Sequence, residues 1–187
     1  MRQYFLPVVS VVAIASFVMV ACANKPSLPK YPISDAQEVL DAFTEIDAST
    51  SVGVNFSKYT DKVIAVKTAL EKYKATGKAK PEALPLFEKA LDGYIVAANY
   101  WKCDIKYSSI TDKFACQDKE FEKLLSVYPS ITKNKDVKAV IEAHKVKGDS
   151  SFITMGFDQQ GLLTLIWVNA KIPIIDAHKA FLEDVKE

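Results

Sequence analysis

From Ser34 onward, apolar residues recur along the chain at helical spacing. Val39, Leu40, Phe43 and Ile46 share one face of a first segment that fades near Ser51, with Gly53 as a stop. Ser34-Asp35-Ala36-Gln37 has the form of a capping box, in which a serine hydroxyl and a glutamine amide satisfy the free donors of a starting helix. Asn55 is placed to cap a second helix, with Val54 and Tyr59 at the positions of a hydrophobic staple. Phe56, Tyr59, Val63, Val66, Leu70 and Tyr73 then alternate steps of three and four up to Gly77. The spacing returns in Leu84, Phe87, Leu91, Tyr94, Ala98, Trp101 and Ile105, on a helix expected to start at Pro81. Pro85 fits there only within the first turn, where no internal donor is needed. Two matched stripes joined by a short polar linker predict an antiparallel helix pair.

The second half is less regular. Residues 104–117 read as a loop pinned by Cys103 and Cys116, followed by a short helix over Asp118–Tyr128 that Pro129 stops. Another helix is expected over Lys135–Lys147, and Gly148-Asp149-Ser150-Ser151 breaks the chain. A last helix over about Asp158–Glu183 carries Leu162, Leu165, Ile166, Val168, Ile172, Ile175, Phe181 and Leu182. Pro173 in its middle removes one backbone bond and predicts a kink. No strand-period alternation persists. The expected fold is all-α: a bundle over residues 34–187 of four main helices with one or two short ones, the last helix kinked.

The start of the chain is different. Met-Arg-Gln leads into an apolar run from Tyr4 to Ala21, the layout of an export signal. Met19-Val20-Ala21-Cys22 resembles the lipobox of bacterial lipoproteins, which implies cleavage after residue 21 and lipid on Cys22. The alternatives are an uncleaved membrane anchor or a plain secretion signal. The run of about 18 residues is at the short limit for spanning, and Pro7 and Ser10 weaken it. Residues 22–33 include three prolines and read as a tether. By resemblance to sorting rules in two-membrane bacteria, Ala23 after the cysteine implies an outer-membrane anchor facing the periplasm.

With Cys22 taken by lipid, Cys103 and Cys116 remain as a pair. Two free thiols or two metal ligands are the other readings. Export beyond the reducing cytosol favours the disulfide.

Arg2 is the only arginine, so residues 22–187 carry 23 lysines against 23 acidic residues. A nucleic-acid binder would be expected to show a basic excess and arginine forks for guanine and phosphate, so no nucleic-acid partner is expected. The chain has no phosphate-cradling glycine loop, zinc-type cysteine spacing or nucleophile elbow. His144 and His178 read as surface or satisfied histidines; a haem pair of either with Met155 would draw on the least regular segment of the chain. Glu38, Asp41 and Glu45 lack the Glu-x-x-His partners of a di-metal site and read as a solvated face. No cofactor, metal or catalytic residue is therefore expected. Tyr59, Tyr73, Tyr94, Tyr100, Trp101 and Trp167 fall on core-side positions, where they form either packing or the wall of a pocket. Asn169 lies near the line of Leu162, Leu165 and Ile172, where a buried amide needs partners.

The segment Ser51-Val52-Gly53-Val54-Asn55-Phe56-Ser57-Lys58-Tyr59 resembles a G-V-N-aromatic-x-x-Tyr signature of small, uncharacterised helical exported bacterial proteins. These carry a tryptophan near the end of a middle helix and a late I-W-x-x-A, matched here by Trp101 and Ile166-Trp167-Val168-Asn169-Ala170. The resemblance implies a helical fold and brings no established activity or catalytic residues to carry over. The leading expectation is a non-enzymatic, lipid-anchored module of the cell envelope that engages a membrane through Cys22 and a protein partner. The alternative is a small-molecule binder using an aromatic pocket between helices.

Overall fold

The structure, a computed structural model, describes residues 31–147 and 156–183. The export segment, Cys22, residues 22–30 and Met155 lie outside the described residues, as does the side chain of His144. The described chain is all-α. A 3-10 turn over Ile33–Ala36 leads into α1 (Gln37–Val52), α2 (Phe56–Ala75), α3 (Leu84–Lys106) and α4 (Ile110–Val127). A second 3-10 turn, Pro129–Lys133, precedes α5 (Lys135–Lys147), and α6 (Gln159–Glu183) closes the fold. No described helix is long and apolar enough to cross a membrane.

The two matched stripes place α2 and α3 as the periodicity predicts. Asn55 caps α2 by accepting the Lys58 N–H at 2.9 Å, and Gly77, at φ 67°, carries the chain past its end. Tyr59, Val63, Val66, Leu70 and Tyr73 are buried. Pro85 falls within the first turn of α3, but the helix starts at Leu84 rather than Pro81. Along α3 the stripe holds for Phe87, Leu91 and Tyr94 and fails at Ile105, which is 61% exposed.

What the stripe leaves out is that α3 packs against α2, α4 and α6 together. Its small residues Ala90, Gly93 and Ala97 are buried as well as its large ones. They form a second contact side that a search for large apolar residues passes over.

Two local expectations are corrected. The capping box does not form: Ser34 lies inside the 3-10 turn, and the Gln37 amide donates to Asp41 at 2.8 Å instead. Burial of Ala36, with Tyr31 and Ile33 packed on the core, starts the winding before Ser34. The segment 104–117 is not a loop. Its connection shrinks to residues 107–109, and Ser109 caps α4 through the Asp112 N–H at 3.5 Å. A long helix with mostly exposed first turns lacks the apolar repeat on which a sequence reading depends. With α4 longer than expected, the helical bundle has five helices of 16 to 25 residues and one of 13. Pro173 sits within an uninterrupted α6, its ring buried against the core.

Gly93 marks the closest approach. A Cβ there would lie 2.8 Å from Cε2 of Tyr128 and 3.0 Å from Cβ of Ala170. Tyr128 has little freedom to yield, because its hydroxyl donates to the Lys89 carbonyl at 2.7 Å. Alanine gains about 1 kcal/mol in helix propensity over glycine, while overpacking of this kind costs about 1–3 kcal/mol. Gly93→Ala is expected to lower stability by up to about 2 kcal/mol in urea unfolding; a raised midpoint would contradict the packing.

Candidate functional site

The residues that carry the sequence resemblance meet in space. Gly53 turns the chain at φ 93° between α1 and α2, and Asn55 starts α2 two residues later. One turn on, the Tyr59 ring lies 5.8 Å from both Trp101 of α3 and Trp167 of α6. Phe56 meets Trp101 edge-on at 5.8 Å. The Tyr59 hydroxyl donates to the Tyr94 carbonyl at 3.0 Å and accepts the Trp167 indole N–H at 3.1 Å. Burial pushes the Tyr59 phenol far above the ordinary tyrosine range, partly offset by the Trp167 bond. The hydroxyl is taken up by its two structural hydrogen bonds. Phe43 and Phe87 extend the cluster along the core, their rings 5.9 Å apart.

Tyr59, Trp167, Phe43 and Phe87 are core, and Trp101 packs half-buried against it. Surface hollows of about 320, 270 and 410 Å³ lie at the α1–α2 turn, between α3 and α4, and beside α5 and α6. None is lined by Tyr59, Trp101 or Trp167. Asn169 is half-buried and donates to the Leu165 carbonyl at 2.9 Å, a local bond within its own helix. The buried Tyr94 hydroxyl has no hydrogen-bond partner among the described residues.

Cys103 and Cys116 form a disulfide with Cα atoms 5.7 Å apart. It staples the end of α3 to the second turn of α4, and the Lys113–Asp104 ion pair, 2.7 Å, crosses the same turn. Glu38 and Glu45 are exposed and bridge α1 to α2 through Lys72 (2.6 Å) and Lys62 (2.5 Å). Asp41 and His178 are also exposed. No group of three or more metal-ligating side chains occurs among the described residues.

Two features were not foreseen. Gln117, Asp118 and Glu120 of α4 are buried. Glu120 pairs with Lys123 at 2.6 Å. Tyr100 sits near Asp118, its phenol raised first by burial and then by the carboxylates of Asp104, Asp118 and Asp158. Only knowing that α4 begins at Ile110 would have put these acids on a packed face.

The second feature is α6. Its buried side is Leu162, Leu163, Ile166, Trp167, Ala170, Pro173, Ala177 and Phe181. Val168, Ile172, Ile175 and Leu182, expected in the core, are 54%, 51%, 54% and 48% exposed. A helix apolar on two opposite sides gives no periodic clue to which of them faces inward. The outer side is thus an apolar surface that the described fold leaves uncovered.

No known family, curated protein or solved structure matches this chain.

The disulfide closes a segment with a sequence separation of 13, for which chain entropy gives about 3 kcal/mol. Reduction should lower unfolding stability by about that amount while α1–α3 and α6 keep their helicity. Equal urea midpoints with and without reductant would show that the bond contributes nothing.

Proposed function

We propose that the chain is an exported lipoprotein, anchored through lipid on Cys22, whose helical domain is a non-enzymatic interaction module of the cell envelope. The observation that carries this reading is the outer side of α6, where four large apolar residues are about half-exposed in one stripe. Contiguous exposed apolar surface on a soluble fold marks a place where something docks. The start of the chain supports the anchor: a single positive residue, an apolar run and the Met19-Val20-Ala21-Cys22 segment. A bonded Cys103–Cys116 pair fits an oxidising compartment and leaves Cys22 for lipid. The likeness to small helical exported proteins in the G-V-N and I-W-x-x-A segments belongs to the same proposal.

One observation favours the alternative, a small-molecule binder. The buried Tyr94 hydroxyl has no partner among the described residues and would suit a polar ligand atom. Against it, the surrounding aromatic rings pack on one another and bond to one another.

Intact mass of the protein taken from its own membrane, measured native and then denatured, separates the readings. Residues 22–187 plus acyl chains, less two hydrogens, with nothing released on denaturation, is the expected result. An unprocessed or unacylated chain would sink the anchor. A small molecule released on denaturation would assign the core to ligand binding.

A further inference from the structure

The outer side of α6 has more order than exposure alone requires. Leu165, Val168, Ile172, Ile175, Lys179 and Leu182 alternate steps of three and four, the repeat of a coiled-coil seam. Such a seam fits another helix. A stripe meant for a bilayer surface would be broader and bordered by lysine on both edges.

Here the edges differ in sign. Lys171 and His178 border one side of the seam, and Asp176 and Glu183 border the other. In a parallel helix pair, an edge residue meets the one five positions further along the second copy. Lys171 then meets Asp176 of the second copy, and His178 meets Glu183 of the second copy. An antiparallel pair would set Lys171 and His178 against each other and the two acids against each other. Charge complementarity therefore selects the parallel arrangement.

We propose that α6 pairs with α6 of a second copy of this chain, side by side and parallel. This rests on reading the α6 face as an interaction surface and names its occupant. Lys179, the one charged seam residue, fixes register, as a lone polar core position does in coiled coils. Its ammonium already leans out to Asp176 at 3.1 Å. Lys171 is held within its own copy by Asp47 at 2.7 Å. In the pair it would bridge Asp47 and Asp176 of the second copy.

The fold gives the parallel pair a second support. Phe181, near the end of α6, lies 6.5 Å from Phe87 at the start of α3. The Lys80 ammonium sits 5.7 Å over the Phe181 ring, while the Lys80 N–H donates to the Tyr73 hydroxyl. Glu38, in the first turn of α1, pairs at 2.6 Å with Lys72 beside Tyr73, and Tyr31, where the described chain begins, packs on the core. The chain therefore enters the domain at the end where α6 finishes. Parallel pairing puts both entry points at one end, so that the tethers read in residues 22–33 serve one membrane.

Single cysteines at Val168, Ile175 and Leu182, with Lys67→Cys on the outer face of α2 as control, test this in the native membrane with the full chain. Mild oxidation should give homotypic dimers at all three α6 positions and none at Lys67. Ile172→Asp in detergent solution should weaken dimerisation by at least about 100-fold. Lys171→Glu and Asp176→Lys should each weaken it by about 5–10-fold, and the double variant should recover to within about 3-fold, which lost folding could not mimic. Cross-linking at Ile175 alone would overturn the parallel arrangement. An Ile175→Cys label shielded without any homotypic dimer would assign the face to another protein, and quenching by brominated phospholipid would assign it to the bilayer. Either overturns the dimer while keeping the interaction surface. A label open to aqueous quencher, with a monomeric chain, would overturn both.

Discussion

A phenol hydroxyl cannot be buried in a helical core without a partner, and at Tyr59 that requirement ties three helices together. Its hydroxyl donates to a main-chain carbonyl of α3 at Tyr94 and accepts the indole N–H of Trp167 on α6. Each bond contributes only about 1 kcal/mol net, but an orphaned buried group costs about 1–3 kcal/mol. Alternative registers of α2 on α3, or rotations of α6, forfeit that amount before any packing is counted. The rest follows from this contact. It brings Trp101 onto Phe56 and Tyr59, and it starts the antiparallel α2–α3 pairing at the capped turn of Asn55.

Fixing Trp167 inward also decides which way α6 presents its other side chains. With Trp167, Ala170 and Pro173 against the core, Val168, Ile172 and Ile175 must point outward. The tight approach at Gly93 and Ala170 serves the same end, because a helix seated this close to α3 is not free to roll. Core and candidate interface are thus two faces of one constraint. The disulfide acts elsewhere, holding the α3–α4 end whose first turns bury little apolar surface.

The sequence is most readable where apolar and polar sides contrast. The stripes of α2 and α3 disclose their helices, the Asn55 cap and the Gly77 stop, because burial on one side leaves a three-four repeat. The disulfide follows from counting cysteines in a chain read as exported. Legibility fails where that contrast disappears. On α6 apolar residues occupy both sides, so Ile172 and Trp167 look alike until the fold is known. On α4 the packed side includes Gln117, Asp118 and Glu120, which pattern reading assigns to water. The second contact side of α3 is built from alanine and glycine, whose role comes from what they omit. Ser34 and Gln37 satisfy a capping rule locally, yet tertiary packing of Tyr31 and Ile33 overrides it.

The inward hold of Trp167 is the point on which both core and interface depend. Hydrogen exchange of the two indole N–H groups, resolved by NMR and assigned with Trp101→Phe, tests it directly. The Trp167 proton should exchange only at the rate of global unfolding and should lose that protection in Tyr59→Phe. Rapid exchange of the Trp167 indole in the native protein would mean that α6 is turned otherwise, and that its apolar seam does not face outward.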